Sequence, residues 1–156
     1  MLTPIPEERA HRRLAAIMIA DVVGYSRLME ADDAGTLAAL NQHLTTCLEP
    51  IVQTHGGRII KLMGDGVLVE FASAVNAVKA ALEIQLSTTR DNLLPRMILR
   101  IGINLGDVLG QGADIYGDGV NIAARLEALA QPGGICVSHC IRSSARPGRL
   151  SISGSG

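Results

Sequence analysis

Apolar residues recur along the chain at two different periods, and these periods predict the order of strands and helices. Leu14–Ala20 is a run of seven apolar residues followed by Asp21, a pattern typical of a buried strand. Across residues 32–53, leucine and isoleucine recur every three or four positions, which predicts an amphipathic helix. Asp32 or Asp33 is placed to cap its first turn.

A β-hairpin is predicted after this helix. The runs Arg58–Met63 and Val67–Phe71 are rich in strand-forming residues and flank Gly64-Asp65-Gly66. Two such runs joined by a short glycine-containing link favour an antiparallel pair of strands. The hairpin therefore supplies the second and third strands, with Asp65 at its tip.

The second half of the chain again alternates between helix and strand. Ser73 is placed to cap a helix. Its buried stripe is predicted to comprise Val75, Val78, Leu82 and Leu86. The later elements are predicted to be a strand at Ile98–Leu105 extended past Gly106 by Val108 and Leu109, a flexible glycine-rich connection at residues 110–119, a helix at Val120–Ala130 and a strand at Ile135–Ser138. The first six elements have the βαββαβ order of a ferredoxin-like α+β sandwich, to which a helix and a strand are added.

The two ends of the chain lack this periodicity. Residues 1–13 are expected to form an N-terminal leader, and the Ser-, Gly- and Arg-rich residues 141–156 a disordered tail, which leaves one domain at 14–140. No apolar run exceeds seven residues, so neither a signal peptide nor a membrane segment is expected. Three cysteines without paired spacing are typical of reduced thiols, which favours a cytoplasmic location.

Composition narrows the range of partners. The 156 residues carry 14 Lys and Arg against 15 Asp and Glu, a formal net charge of −1. This balance argues against an electrostatic binder of nucleic acids or membranes. The aromatic residues are Tyr25, Phe71 and Tyr116, too few to form a stacking platform for single strands. No nucleic-acid partner is therefore expected.

Two carboxylates are predicted to meet at one edge of the sheet. Asp21 follows the first strand, and Asp65 lies at the hairpin tip. In a ferredoxin-like sheet the first strand lies beside this hairpin, so the two side chains converge. Mg²⁺ prefers oxygen ligands of this kind, completed by substrate phosphates. The alternative for Asp65 is a purely structural place in the turn, where aspartate is common.

A phosphate-binding segment and a polar helix face are further candidates. Gly24, Tyr25 and Ser26 follow Asp21 in a tight turn that can present backbone N–H groups to a phosphate. Asn121 and Arg125 are four residues apart and share one face of the last long helix, where an amide and a guanidinium suit a ribose and a phosphoryl group. The alternative is a solvated helix face, and we assign the neighbouring Glu127 to such a face.

Four segments in register resemble the catalytic domain of class III adenylate and guanylate cyclases, of the bacterial adenylate cyclase type. They are DVVGYSRLME, IIKLMGDGVLVEF, LRIGINLGDVLG and DIYGDGVNIAARLE. The resemblance spans Leu14 to Ser138 and implies the same ferredoxin-like fold. It also implies conversion of ATP to 3′,5′-cyclic AMP and pyrophosphate by an enzyme that binds two Mg²⁺ or Mn²⁺ ions.

The resemblance implies a role for each matched residue. Asp21 and Asp65 would be the metal aspartates, with the Val22 carbonyl as an added ligand. Asn121 and Arg125 would orient the ribose and stabilise the transition state. The remaining implied substrate contacts are Arg100 at the terminal phosphates and Lys61 with Asp114 at the adenine. In the family these groups come from two subunits, which implies a homodimer with shared active sites.

The pair of Lys61 and Asp114 has its own chemical reason to favour adenine. Adenine presents a ring-nitrogen acceptor and an amino donor, which an ammonium and a carboxylate complement. Guanine inverts both groups, so the same pair would leave buried polar groups mismatched.

Residues 141–156 do not match the family pattern. They contain no lysine and no strand pattern, whereas the family domain continues with a helix and strands and usually a lysine for the triphosphate. The alternative function is therefore a nucleotide-binding or regulatory module with weak catalysis. A cyclic-dinucleotide synthase is disfavoured, because the hairpin lacks the Gly-Gly-Asp/Glu-Glu-Phe motif of those enzymes.

Overall fold

A computed structural model describes residues 10–90, 96–144 and 153–154. The strands are β1 (His11–Val22), β2 (Gly57–Met63), β3 (Gly66–Phe71), β4 (Leu99–Gln111), β5 (Asp114–Tyr116), β6 (Ile135–Val137) and β7 (Ser153–Gly154). The helices are α1 (Tyr25–Ala31), α2 (Asp33–His43), α3 (Glu49–Thr54), α4 (Ala74–Arg90), α5 (Asp118–Leu129) and α6 (His139–Ser144), with a π-helical turn (Leu44–Leu48) between α2 and α3.

The sheet has the order β2-β3-β1-β4-β6-β7, and β5 pairs with β4. β1 lies at the centre and is antiparallel to both β3 and β4. β6 is parallel to β4 because α5 crosses between them. This arrangement confirms the predicted ferredoxin-like α+β fold.

Side chains of β1 alternate between two cores. Met18 belongs to the larger core, which lies between the sheet and α2, α3 and α4. Ile17 and Ile19 belong to the smaller core, which includes Ala123 of α5. A strand with helices on both faces must be apolar at every position, which explains the uninterrupted hydrophobic run. We call the second side the α5 face of the sheet.

β1 begins three residues earlier than the hydrophobic run predicted. His11–Arg13 belong to the strand, so the expected leader at 1–13 ends sooner, and residues 1–9 lie outside the described part. Arg13 donates hydrogen bonds to both carboxylate oxygens of Glu70 on β3, at 3.0 and 2.8 Å. Gly110 on β4 leaves the room that the guanidinium occupies, because a Cβ there would clash with it. Polar residues therefore continue the strand through a cross-strand ion pair.

The predicted helix over residues 32–53 is divided in two by the π-helical turn. Asp32 caps α2 by accepting a hydrogen bond from the Gly35 N–H at 3.0 Å, as predicted. The hydroxyls of Thr45 and Thr46 donate to carbonyls four residues earlier. Such bonds compete with the helical ladder, and Pro50 lacks an N–H to continue it, which accounts for the interruption.

Helix α4 buries only part of the predicted stripe, because Val78 is buried and Leu82 is half-buried against the larger core. Ser73 caps it, but Val75 and Leu86 are exposed. The buried positions are Ala77, Val78, Ala80, Ala81, Ile84, Gln85 and Thr88. Small side chains let the helix approach the sheet closely. The Gln85 amide then donates to the carbonyls of Leu99 and Gly134, at 3.0 and 2.9 Å.

The glycines from residue 102 to 119 are part of the fold and not a flexible connection. β4 runs continuously through Gly106, and β5 follows as a short antiparallel partner. A Cβ at Gly102 would lie 2.2 Å from the backbone nitrogen of Glu127 and 2.5 Å from the carbonyl oxygen of Ala123. Gly102 is therefore the point where α5 contacts the sheet directly.

Two elements occur where no regular structure was expected after residue 140. α6 covers His139–Ser144, and Ile141 is buried in the larger core. Ser153 and Gly154 form β7, which pairs in parallel with β6. Residues 145–152 and 155–156 of the expected tail lie outside the described part. None of the helices within the described ranges is long and apolar enough to cross a membrane.

Candidate active site

Asp21 and Asp65 lie next to each other at one edge of the sheet. Asp21 is paired with Gly66 of β3 and with Arg100 of β4. Asp65 occupies the turn that precedes Gly66. Desolvation raises the pKa of the Asp65 carboxyl, and the nearby negative charge of Asp21 raises it further. The edge therefore concentrates negative charge, as the sequence pattern predicted.

Two polar atoms at this edge are buried and lack a hydrogen-bond partner. They are Oδ1 of Asp21 and Nε of Arg100, which come from directly paired positions on β1 and β4. A buried polar atom without a partner is costly, and such atoms in native proteins call for an explanation. One is an acceptor on an acid and the other a donor on a cation. Together they suit a ligand that carries both a cation and anionic oxygens.

Glu127 lies beside Asp21 and Arg100, a placement that the sequence analysis did not predict. It was assigned to a solvated helix face, but it is 9% exposed and faces the sheet. Desolvation, a hydrogen bond with Asp21 and the charge of Asp21 raise the pKa of Glu127 to about 8, against the opposing charge of Arg100. A sequence signal existed, because Glu127 follows Ala123 by four residues and shares its inward side of α5.

Asp65 and the rest of the hairpin turn line part of a cleft of about 130 Å³. Val22 and Tyr25 line it, together with apolar residues of α2 and the π-helical turn. Gly24 has a φ of 68°, a left-handed conformation that glycine adopts without strain, and it lets the chain turn from β1 into α1. Ser26 is exposed on α1. Tyr25 and Asp65 thus line the same cleft.

Lys61 reaches the α5 face of the sheet because of a β-bulge. Ile59 pairs with Val69, but Lys61 pairs with Leu68, so Ile60 is the extra residue. Leu68 belongs to the smaller core on the α5 face. Without the bulge Lys61 would oppose Val67 and project to the opposite side. Bulges commonly redirect a side chain in this way.

Lys61 and Asp114 form an ion pair across the sheet. The Lys61 Nζ donates to Oδ2 of Asp114 at 3.1 Å, and Oδ1 accepts from the Ile115 N–H at 2.7 Å. The hydrogen bond from Lys61 lowers the pKa of the Asp114 carboxyl. Arg58 also joins the two segments, by a 3.3 Å hydrogen bond to the Ala113 carbonyl. β5 is thereby tied to β2, although β1 and β3 lie between β2 and β4.

Asn121 and Arg125 share an exposed face of α5, as the spacing predicted. Each residue of an α-helix advances the side chain by about 100°. Arg125 is two residues before Glu127, so it projects from nearly the opposite side of the helix. Since Glu127 contacts Asp21, Arg125 is directed away from the aspartates of its own chain. The fold therefore separates the two aspartates from the exposed face of α5 that carries Asn121 and Arg125.

The carboxylates supply only part of a metal coordination shell. Among the described residues no three His, Cys, Asp or Glu side chains are grouped so that they could hold a metal ion. A cation held by Asp21 and Asp65 would need further oxygen atoms. Backbone carbonyls and substrate phosphates commonly provide them for Mg²⁺.

Comparison with known proteins identifies the family. Residues 8–153 match the family described as the Adenylate and Guanylate cyclase catalytic domain. A protein of Rhizobium meliloti named "Putative adenylate cyclase 3" is 52% identical over 136 residues, which are 85% of this chain and 23% of that protein. The chain spans about a third or less of the length of the curated relatives it matches.

Solved structures of similar proteins have the same fold. An adenylate/guanylate cyclase/hydrolase from Silicibacter pomeroyi aligns with a TM-score of 0.80 and 44% identity, covering 87% of this chain and 81% of that one. The adenylyl cyclase CyaB from P. aeruginosa aligns with a TM-score of 0.76 and 26% identity, covering 86% and 81%. Sequence and fold therefore agree, and the chain belongs to the family of adenylate and guanylate cyclase catalytic domains.

Proposed function

We propose that the chain is an adenylate cyclase domain that converts ATP to 3′,5′-cyclic AMP and pyrophosphate. In this reaction the ribose 3′-oxygen forms a bond to the α-phosphorus. The bond from that phosphorus to the oxygen of the β-phosphate breaks, and the 3′-hydroxyl proton is released. The attacking and leaving oxygens lie roughly in line.

The observation that carries the proposal is the pair of unpartnered atoms at the paired positions of β1 and β4. A metal–triphosphate complex would satisfy both, because the cation can bind Oδ1 of Asp21 and a phosphate oxygen can accept from Nε of Arg100. The raised pKa of Asp65 is consistent with a carboxylate whose ionised form a bound cation would stabilise.

The donor set fits two Mg²⁺ or Mn²⁺ ions, held by Asp21, Asp65 and the Val22 carbonyl. When bound, such ions lower the pKa of the 3′-hydroxyl and neutralise the departing pyrophosphate. Arg100 would hold the terminal phosphates from its place opposite Asp21. Gly24, Tyr25 and Ser26 begin three residues after Asp21 and would contact the phosphates from the turn into α1.

The ion pair of Lys61 and Asp114 supports adenine as the base. After donating one hydrogen bond to Asp114, the ammonium keeps two donors and the carboxylate keeps acceptor sites. These remaining groups match the ring nitrogen and the amino group of adenine. They do not match guanine, whose donor and acceptor at these positions are reversed. The substrate would therefore be ATP and not GTP.

The direction of Arg125 supports a homodimer with two shared sites. Asn121 and Arg125 project from α5 away from their own aspartates, so a second copy would supply them to each site. Asn121 would orient the ribose, and Arg125 would stabilise the charge that develops on the transferring phosphoryl group. A two-fold dimer repeats the same exchange and gives two equivalent sites.

Product formation tests the proposal. The purified protein is incubated with ATP and Mn²⁺ or Mg²⁺, and cyclic AMP is quantified over a range of protein concentrations. We expect cyclic AMP formation that Asp65→Asn abolishes and that Glu49→Gln, an exposed acid on α3, leaves intact. Specific activity should rise with concentration as the dimer forms. A folded protein that binds ATP and yields no cyclic AMP would instead favour a nucleotide-binding or regulatory module.

A further inference from the structure

Tyr116 contacts both members of the Lys61–Asp114 pair. The Lys61 Nζ lies over the Tyr116 ring, 5.5 Å from its centroid. Hydrogen bonding and charge from the Asp114 carboxylate raise the pKa of the Tyr116 phenol. Asp114 and Tyr116 are two residues apart on β5, so their side chains project on the same side of that strand. Three polar groups from two distant strands thus contact one another.

The ion pair alone is poorly suited to hold a fixed geometry. The side chains of Lys61 and Asp114 are 41% and 29% exposed. Exposed pairs contribute little, since a flexible lysine loses conformational freedom to maintain them. Asp114 is fixed by the Ile115 N–H, but the ammonium has no comparable backbone partner among the described contacts. A rigid aromatic ring beneath the ammonium supplies that restraint.

The backbone around Tyr116 is well anchored for this purpose. Ile115 is 1% exposed and packs in the smaller core, which holds β5 in place. Tyr116 itself is 48% exposed, so it contributes little to that core. Gly117, with a φ of 116°, turns the chain into α5 immediately afterwards. The exposed ring is explained by its two polar contacts better than by packing.

We infer that Tyr116 is a positioning residue that orients Lys61 and Asp114 and thereby sets the preference for adenine over guanine. This inference rests on the proposed function, because it assigns the pair to the base of the substrate. The ring would fix the ammonium, and the hydroxyl would fix the Asp114 carboxylate. Neither contact requires Tyr116 to touch the nucleotide.

The first test measures the contact itself, independently of nucleotides. The chain contains two tyrosines and no tryptophan, so tyrosinate absorbance is easily assigned. In a Tyr25→Phe background the remaining phenol should titrate above the ordinary range, because the hydrogen bond and charge of Asp114 raise the pKa of Tyr116. Adding Asp114→Asn should bring the midpoint down. A midpoint that Asp114→Asn leaves unchanged would overturn the contact.

The second test measures base preference without turnover. The affinities for 3′-deoxy-ATP and 3′-deoxy-GTP, which lack the attacking hydroxyl, are compared by titration calorimetry in the presence of Mn²⁺. Tyr116→Leu should lower the ratio of the two affinities about ten-fold, since mismatched polar contacts discriminate bases by at least that factor. Tyr116→Phe, which keeps the ring, should lower it less.

Controls separate positioning from folding. Leu86 is 51% exposed on α4, on the opposite side of the sheet, and Leu86→Ala should leave the affinity ratio unchanged. An unaltered ratio in Tyr116→Leu would overturn the inference while leaving the proposed function intact. Selective binding of 3′-deoxy-ATP without cyclic AMP formation from ATP would overturn the proposed function alone. A wild-type protein that binds neither nucleotide would overturn both.

Discussion

Glu127 of helix α5 is buried beside Asp21 at the end of strand β1, and this burial, together with the hydrogen bonding and charge of Asp21, raises the pKa of Glu127. Gly102 makes this contact possible, because it lets the backbone of α5 lie directly on β4. Oδ1 of Asp21 is buried and has no hydrogen-bond partner. A buried acid on α5 is thus part of the same cluster as the two aspartates.

The stability of the metal-free protein should fall as pH rises from about 5 to 8. The folded state raises the pKa of Glu127 from 4.5 to about 8, so in this window it holds a proton that the unfolded chain has released. Unfolding therefore releases a proton and is favoured at higher pH. Thermal melts in chelating buffer should show the melting temperature of the wild type decreasing by several degrees across this window.

Glu127→Gln removes the titratable carboxyl and should therefore flatten the dependence of the melting temperature on pH. The glutamine amide can donate to Asp21 as a protonated acid can, so the folded geometry is kept. Glu30→Gln, an exposed acid on α1, should retain the wild-type slope. Equal slopes for wild type and Glu127→Gln would show that Glu127 is ionised in the folded protein.

Gly102→Ala should destabilise the domain severely. The added Cβ would meet the backbone of Glu127 and Ala123 at 2.2 and 2.5 Å, so α5 would have to move away from β4. Overpacking of this kind costs about 1–3 kcal/mol and occasionally more. Gly106→Ala should cost less, because the nearest atom, at 3.0 Å, belongs to the Asn104 side chain. Urea denaturation measures both, and equal losses would contradict the packing described.

Mn²⁺ should stabilise the wild type in the absence of nucleotide. A ligand that binds only the folded state adds about 2.7 kcal/mol at a hundred-fold excess over its Kd. Asp65→Asn should remove most of this increment, since it halves the number of facing carboxylates. Glu49→Gln should keep it. Melting curves with and without Mn²⁺ give the comparison, and a full increment in Asp65→Asn would place the ion elsewhere.

The sequence predicted the fold because its main signals are local. A continuous apolar run indicates a strand covered on both faces, and a glycine-containing link indicates a hairpin. The predicted α4 stripe was wrong at Val75 and Leu86 for a physical reason. Leu86 and Val75 look like core residues, but the smaller Ala77, Ala80 and Ala81 allow the close approach that the sheet favours.

The candidate site was predictable only in part. Asp21 was identifiable because an acid at the end of a buried apolar run has no turn to serve. Glu127 was not, because whether a glutamate on a helix is buried depends on the partner strand, and here on Gly102. The face that Lys61 occupies depends on a bulge at Ile60, which strict alternation does not reveal. Such features arise from tertiary packing.

The most direct test of the shared active site is complementation between two inactive variants. Asp65→Asn lacks a carboxylate that we assign to the metal site, and Arg125→Ala lacks the group that we assign to the partner's site. Each alone should form almost no cyclic AMP from ATP. Random mixing would give heterodimers as half of all dimers, each with one intact site of two, so activity should recover to about a quarter of the wild-type value. A mixture as inactive as its components, beside an active wild type, would contradict the account.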